Sequence, residues 1–196
     1  MNFNLLNKFK QDQEMSDSQE RNAEVQHNTE DKSWWLQHGL ELEYQFVELC
    51  RNKLNVKAEI NPAKSDSPAA PDLLVDGNIA DLKVQNTPFF SATKYSMDPR
   101  FTVTFNRKDF ERYSALYPEI VVYFWVNWKQ LAWKDFRVQK LNAICKAEFS
   151  LITEQVASGN AIEHIYMHRR GDTKGNAKSS FLLDIRKFQK VAHFPG

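Results

Sequence analysis

Cysteine is nearly absent. Cys50 and Cys145 are the only two in 196 residues, too few and too isolated for a disulfide framework or a thiolate metal site, so neither is expected to have a disulfide partner and a reducing compartment follows. Long apolar runs are missing as well. Leu5, Leu6 and Phe9 are interrupted by Lys8, Lys10 and Asp12, which spoils a signal-peptide core, and no stretch approaches the roughly 18 apolar residues of a membrane span. The expectation is a cytoplasmic protein with no membrane partner. Phosphate-loop chemistry is also excluded, because Gly171-Asp172-Thr173-Lys174-Gly175 lacks the spacing and the closing Lys-Ser or Lys-Thr. Neither cysteine has the paired His and Asn of a thiol nucleophile. His164 and His168 share a face, but no third ligand accompanies them, and His38 and His193 are remote, which favours structural or surface roles.

What is present suits one sizeable globular domain, with 42% hydrophobic and 26% charged residues and five Trp. The net charge of +1 hides an uneven distribution. Residues 1–50 hold 4 Lys and Arg against 10 Asp and Glu, residues 51–128 hold 10 against 9, and residues 129–196 hold 12 against 6. The basic final third suits a polyanionic partner, although an excess of that size is commonly a solvated surface.

Residues 1–32 are polar and poor in large apolar groups after Phe9, so they are expected to form a mobile leader. Residues 33–196 show no composition break and are read as a single domain, with a core over 33–128 and a basic elaboration over 129–196. Ser33 is placed at the cap of a helix running through Trp35, Leu40, Phe46 and Val47 to Leu54. A strand over Asn55–Ile60, a loop over Asn61–Ala70 and an irregular stretch over Thr87–Arg100 follow. Next come a strand Phe101–Phe105, a helix Arg107–Tyr117 opened by Asn106 and stopped by Pro118, and a buried strand Ile120–Val126. The last third is expected to carry a strand over Ala132–Val138, a helix over Gln139–Ala157 ended by Gly159, and strands over Ile162–His168 and Phe181–Ile185. Trp and Tyr in the run Tyr123 to Trp128 alternate at strand period and are read as core.

The stretch that organises the rest is Pro71 to Gln85. Two short apolar runs flank Asp76-Gly77-Asn78, which reads as a tight β-hairpin. In a two-residue loop the facing residues have numbers summing to 153 or 155. Asp72 and Asp81 then share a face with Lys83 and Gln85, while Leu73, Val75, Ala80, Leu82 and Val84 take the other. Directly opposed strand residues have Cβ atoms roughly 4.5–5.5 Å apart, where like charges repel. Lys83 supplies one cation there, and two converging carboxylates beside a backbone carbonyl also suit a hard divalent ion.

The order of helix, strand, Pro-Asp strand, turn, Asp-x-Lys strand, helix and strand resembles the PD-(D/E)xK nuclease superfamily over about residues 33–128. The motif is Pro71-Asp72, eight residues, then Asp81-Leu82-Lys83. The resemblance implies an α/β (α+β) fold with a restriction endonuclease-like core, a mixed central β-sheet flanked by helices. It implies that Asp72 and Asp81 hold Mg2+, for which Mn2+ can stand in, with the Leu82 carbonyl as a further ligand and Lys83 positioning the attacking water. Many members add a helix glutamate in a Gly-x-x-x-Glu pattern. Here that is Gly39 to Glu43, with Glu48 as the second choice. Gln85 matches a polar position that contacts substrate in several members, and a plain exposed amide fits it as well.

The implied activity is divalent-metal-dependent endonuclease cleavage of DNA phosphodiester bonds, with a homodimer suited to cutting both strands. For phosphate contacts the candidates are Lys94, Arg100, Arg107 and Lys108 near the active face, and Arg169, Arg170, Lys174 and Lys178 in the late loop. The alternatives are a catalytically silent nuclease-like fold that binds nucleic acid or protein, and an unrelated α/β binding protein with surface charges on its hairpin. The residues leave open DNA against RNA, the specificity and the biological role.

Overall fold

The computed structural model of the chain describes residues 32–67, 69–166 and 179–194. The chain divides into Met1–Gly39, of which only the start of one helix is described, and Leu40–Gly196, which holds the sheets and the candidate site. The expected leader therefore lies, Lys32 apart, outside the described residues. Helix α1 (Lys32–Leu49) already contains Ser33, so that residue is not its cap. It continues as a π-helical turn, Cys50–Leu54, and stops where Asn55 adopts a φ of 52°, a conformation that asparagine tolerates at a helix end.

Six strands build the central sheet in the order β1 (Ala58–Ile60), β2 (Leu73–Val75), β3 (Asn78–Gln85), β5 (Val121–Asn127), β8 (Asn142–Glu148) and β11 (Gln189–His193). All neighbours are antiparallel except β3 and β5, which are parallel. A parallel pair requires a crossover, and here it consists of β4 (Thr102–Asn106) and α2 (Arg107–Leu116). β4 joins β10 (Ser179–Asp184) and β9 (Ile162–Ile165) in a second, antiparallel sheet. The fold is mixed α/β, a central mixed sheet flanked by helices. Among the described residues no helix is long and apolar enough to cross a membrane.

Strand β5 shows why the run Val121 to Val126 is apolar throughout: both of its faces are covered. Val122, Phe124 and Val126 pack with Phe105 of β4, Tyr113 of α2, Leu183 of β10 and Phe149 and Ile152 of helix α3 (Phe149–Ala157). Tyr123 packs on the opposite side with Phe46, Val47 and Cys50 and with Leu73, Val75, Ala80 and Leu82 of the hairpin. Tyr123 and Trp128 are buried, in keeping with their reading as core.

The last third departs from expectation. Residues 139–157 do not form one helix: β8 takes the first part and α3 only the second. Ala143, Ile144, Cys145 and Ala147 are all buried, and β8 is hydrogen-bonded to β5 on one side and β11 on the other. Small residues of middling preference are pulled into the sheet by pairing on both edges. The stretch Ala132–Val138 is a miniature hairpin of β6 (Ala132–Trp133) and β7 (Phe136–Arg137) rather than one strand. β11 was not anticipated.

The hairpin has the expected register, with Leu73 opposite Ala80, Leu74 opposite Ile79 and Val75 opposite Asn78. Its two turn residues both have positive φ, 49° at Asp76 and 80° at Gly77, as a turn matched to strand twist demands. A Cβ at Gly77 would meet nothing within 4 Å, so the cost of adding one is purely conformational. Gly77→Val is expected to lower unfolding stability by about 1–2 kcal/mol in urea titration; an unchanged midpoint would contradict a left-handed turn here.

Candidate active site

The polar face of β3 does not look into solvent. Ala80 and Leu82 point to the core under α1, so Asp81, Lys83 and Gln85 alternate toward β4 and α2. Asp81 is only 2% exposed. Asp72 lies one residue before β2, and extending the register by one places it across from Asp81. The two facing carboxyls influence each other's ionisation, each disfavouring a second negative charge beside it. Asp72 Oδ2 also accepts a 3.4 Å hydrogen bond from the Leu82 amide.

Charges alternate away from this pair in both directions. On one side Lys64 Nζ donates to both oxygens of Glu43, each at 2.6 Å, and to Asp72 Oδ1 at 2.8 Å. On the other, Lys83 Nζ lies 2.7 Å from Asp81 Oδ2 and 2.7 Å from Asp109 Oδ2. Asp109 in turn pairs with Arg112 at 2.9 Å, and Arg112 donates to the Tyr113 hydroxyl. The chain of groups Glu43, Lys64, Asp72, Asp81, Lys83, Asp109 and Arg112 alternates in sign except at its centre, where two acids meet.

The ionisation behaviour follows. Burial pushes the Asp81 carboxyl up to about 7, with Lys83 opposing and Asp72 reinforcing the shift. Burial also works on Asp72, but its bond from Asp81 and the Lys64 and Lys83 ammoniums outweigh it and hold Asp72 below its usual range. Burial and the nearby Asp72 raise Glu43. Lys83 is half-buried and loses solvation, yet Asp81, Tyr113 and Asp109 keep it firmly protonated. Of the two facing acids, Asp81 is the one pushed toward the protonated form and Asp72 the one held below its usual range.

Asn61 explains why Lys64 is where it is. The Asn61 side chain accepts from Ala63 N at 3.1 Å, capping the short 3₁₀ turn Pro62–Ser65, and donates to Pro71 O at 2.9 Å. Its own amide donates to Asp72 O at 3.0 Å. One buried asparagine thus ties the turn that carries Lys64 to the segment that carries Asp72.

The remaining sequence candidates are dispersed. Gln85 uses its amide internally, accepting from Thr104 N at 3.1 Å and donating to Thr87 O at 3.0 Å, and so fastens β3 to β4. Glu48 pairs with exposed Arg51, away from the acids. Arg100 is paired with Asp98, and Arg107 with Glu111 and Glu163. Lys94 and Lys108 are exposed, and among the described residues no ion pair engages them. Arg169, Arg170, Lys174 and Lys178, with His168, lie outside the described residues.

Lys64, Asp109, Arg112 and Tyr113 are site neighbours that sequence reasoning passed over. Asp109 stands three residues after Asn106, in the first turn of α2, and that spacing is a helix-start signal that says nothing of Lys83. Nothing local distinguishes Lys64 from a solvated loop lysine.

The donor chemistry fits a hard divalent cation. Asp81 Oδ2 is buried and, despite its contact with the Lys83 ammonium, makes no hydrogen bond, leaving an acceptor of the type such ions take. Asp72 faces it. Among the described residues, however, no three His, Cys, Asp or Glu side chains are grouped as a complete ion cage; the Lys64 ammonium stands between Glu43 and Asp72. The fit is therefore that of a two-carboxylate site.

No family model matches the chain, and no curated protein matches it. Among solved structures it is similar to one titled as the structure of D212, a nuclease from a fusselovirus, at 9% identity over 86% of this chain and 91% of that one, with a TM-score of 0.38. A likeness of that degree assigns neither family nor activity.

Proposed function

We propose that the chain is a divalent-metal-dependent endonuclease that hydrolyses DNA phosphodiester bonds, with Asp72, Asp81 and Lys83 as its working residues. The observation that carries this reading is the facing pair of acids, one with a buried oxygen that lacks a hydrogen bond, beside a firmly protonated lysine. Mg2+ or Mn2+, when bound, supplies a nucleophilic water near neutral pH and stabilises charge on phosphorus and the leaving oxygen. Asp72 and Asp81 are the residues to hold it, with the Leu82 carbonyl beside them. Lys83, fixed by Asp109, orients the attacking water and neutralises charge that develops on the phosphoryl oxygens. Of the phosphate-contact candidates among the described residues, Lys94 and Lys108 are the exposed pair outside any ion pair, suited to grip phosphate without reading sequence.

The engagement of Lys83 by two acids at once favours one competing reading, a silent site on a nucleic-acid- or protein-binding module. Plasmid, linear and branched DNA incubated with Mg2+ or Mn2+ separates the two. Cleavage by wild type that disappears in Asp81→Ala and Lys83→Ala is the expected result. Equal cleavage by all three would falsify the assignment, and binding without cleavage on every substrate would establish the silent module.

A further inference from the structure

The group that blocks a three-carboxylate cage is itself a cation. Lys64 Nζ holds both Glu43 oxygens and Asp72 Oδ1 at 2.6–2.8 Å, saturating an ammonium that has only three donors. Glu43 comes from α1 and Asp72 from the foot of the hairpin, so without Lys64 two partly buried acids would face each other with no charge between them. The neighbouring acid, Asp81, is held differently: its Oδ2 is buried against the Lys83 ammonium, and Lys83 is shared with Asp109 rather than with a second acid of the facing pair. The site thus has one carboxylate pair bridged by Lys64 and, directly beside it, a buried carboxylate oxygen whose cationic neighbour is Lys83.

We propose that Lys64 is an internal counter-cation that a divalent ion must displace from Asp72 and Glu43, and is therefore the positioning residue that sets how tightly the site loads. The proposal rests on the reading of Asp72 and Asp81 as ion ligands. An ammonium and a divalent ion cannot both occupy Asp72 Oδ1, since like charges at such separations repel strongly where solvent is scarce. Lys64 is able to leave. Its side chain is 22% exposed, only its terminal nitrogen engages the acids, and a lysine stem lets the head swing to water while the backbone turn stays fixed by Asn61. Released, the head stands at the mouth of the site as a point charge for a phosphate oxygen. Glu43 is released by the same motion and becomes available as a further ligand.

Two measurements test this without relying on activity. Calorimetric titration of Mn2+ into wild type and Lys64→Met is expected to show the variant binding at least about fivefold more tightly, because no cation has to be expelled. Binding that appears only in the variant supports the proposal equally; a smaller gain, weaker binding, or no uptake by either protein overturns it. Should Lys64→Met fail to fold, amine-labelling mass spectrometry on wild type decides. Lys64 is expected to be protected in chelator and to become labelled when Mn2+ is added, with exposed Lys94 as the unchanged reference. Unchanged Lys64 labelling at saturating Mn2+ overturns the proposal. The nuclease reading fails separately: tighter Mn2+ binding by the variant with no DNA cleavage by either protein sustains the role of Lys64 and removes the hydrolase, whereas metal-dependent cleavage with equal affinities does the reverse.

Discussion

Asp81→Asn is expected to give a protein that is more stable than wild type at pH 8 and nearly inert toward DNA. Folding raises the Asp81 carboxyl from an ordinary 3.8 to about 7. Between those values the folded chain holds a proton that the unfolded chain has released, so this residue's contribution to stability falls as pH rises and is at its worst above 7. Asparagine has no proton to lose. Its amide nitrogen can donate to the facing Asp72, and Lys83 retains Asp109. The advantage of the variant should open between pH 4 and 7 and reach on the order of 2 kcal/mol at pH 8, less than the full shift implies because the Lys83 contact is lost. For a chain of this length that is roughly 4–8 °C in Tm. Thermal unfolding in chelator from pH 4 to 8 measures it; parallel curves, or a variant that melts below wild type at pH 8, would count against an acid raised by burial. On the proposed nuclease reading, cleavage should fall by at least about 100-fold, since a neutral amide does not balance the charge of a divalent ion and offers one ligand oxygen where the carboxylate offers two.

Lys83→Met should have the opposite sign on stability. Methionine keeps most of the aliphatic stem but leaves Asp81 and Asp109, which are 3% and 18% exposed, without the ammonium between them. Breaking a buried pair by removing one partner costs several kcal/mol. Here Asp109 keeps Arg112 and Asp81 can take up a proton, which places the loss at about 3 kcal/mol at pH 8, shrinking toward pH 6 as Asp81 protonates. Urea titrations at the two pH values give both numbers. A loss below about 1 kcal/mol, equal at both, would mean that the lysine is merely a surface charge. Lys83→Arg should recover stability better than it recovers cleavage, because a planar guanidinium restores the charge but not the compact point donor.

The hairpin could be read from the sequence because its information is local. Asp76-Gly77 specifies the turn, and alternation on either side specifies which residues share a face. Asn106 marked the start of α2, and the apolar run Val121 to Val126 announced a strand covered on both sides. β8 escaped because Asn142-Ala143-Ile144-Cys145-Lys146-Ala147-Glu148 has weak strand character alone; β5 and β11 decide its conformation from outside. The site divides the same way. Asp72, Asp81 and Lys83 are tied together by strand parity. The bonds from Lys64 to Glu43 and from Lys83 to Asp109 span 21 and 26 residues, and no periodicity encodes them. Gln85 shows the converse, a residue at the right parity whose polar atoms fasten two strands together.

The parallel pairing of β3 with β5 also fixes when the site comes into being. A hairpin such as β2–β3 closes within microseconds because its contacts are local. The β3–β5 contact waits for the crossover through β4 and α2, and non-local pairings of this type are slow because loop entropy is lost before the strands meet. Asp109 rides on that crossover, so Lys83 gains its second acid only when α2 docks. A chain that stops short of β5 carries the Asp-x-Lys motif without the partner strand that holds β3 in the sheet, since a hairpin alone is marginal in water. The full chain of alternating charges from Glu43 to Arg112 is therefore expected to form late, in step with closure of the central sheet.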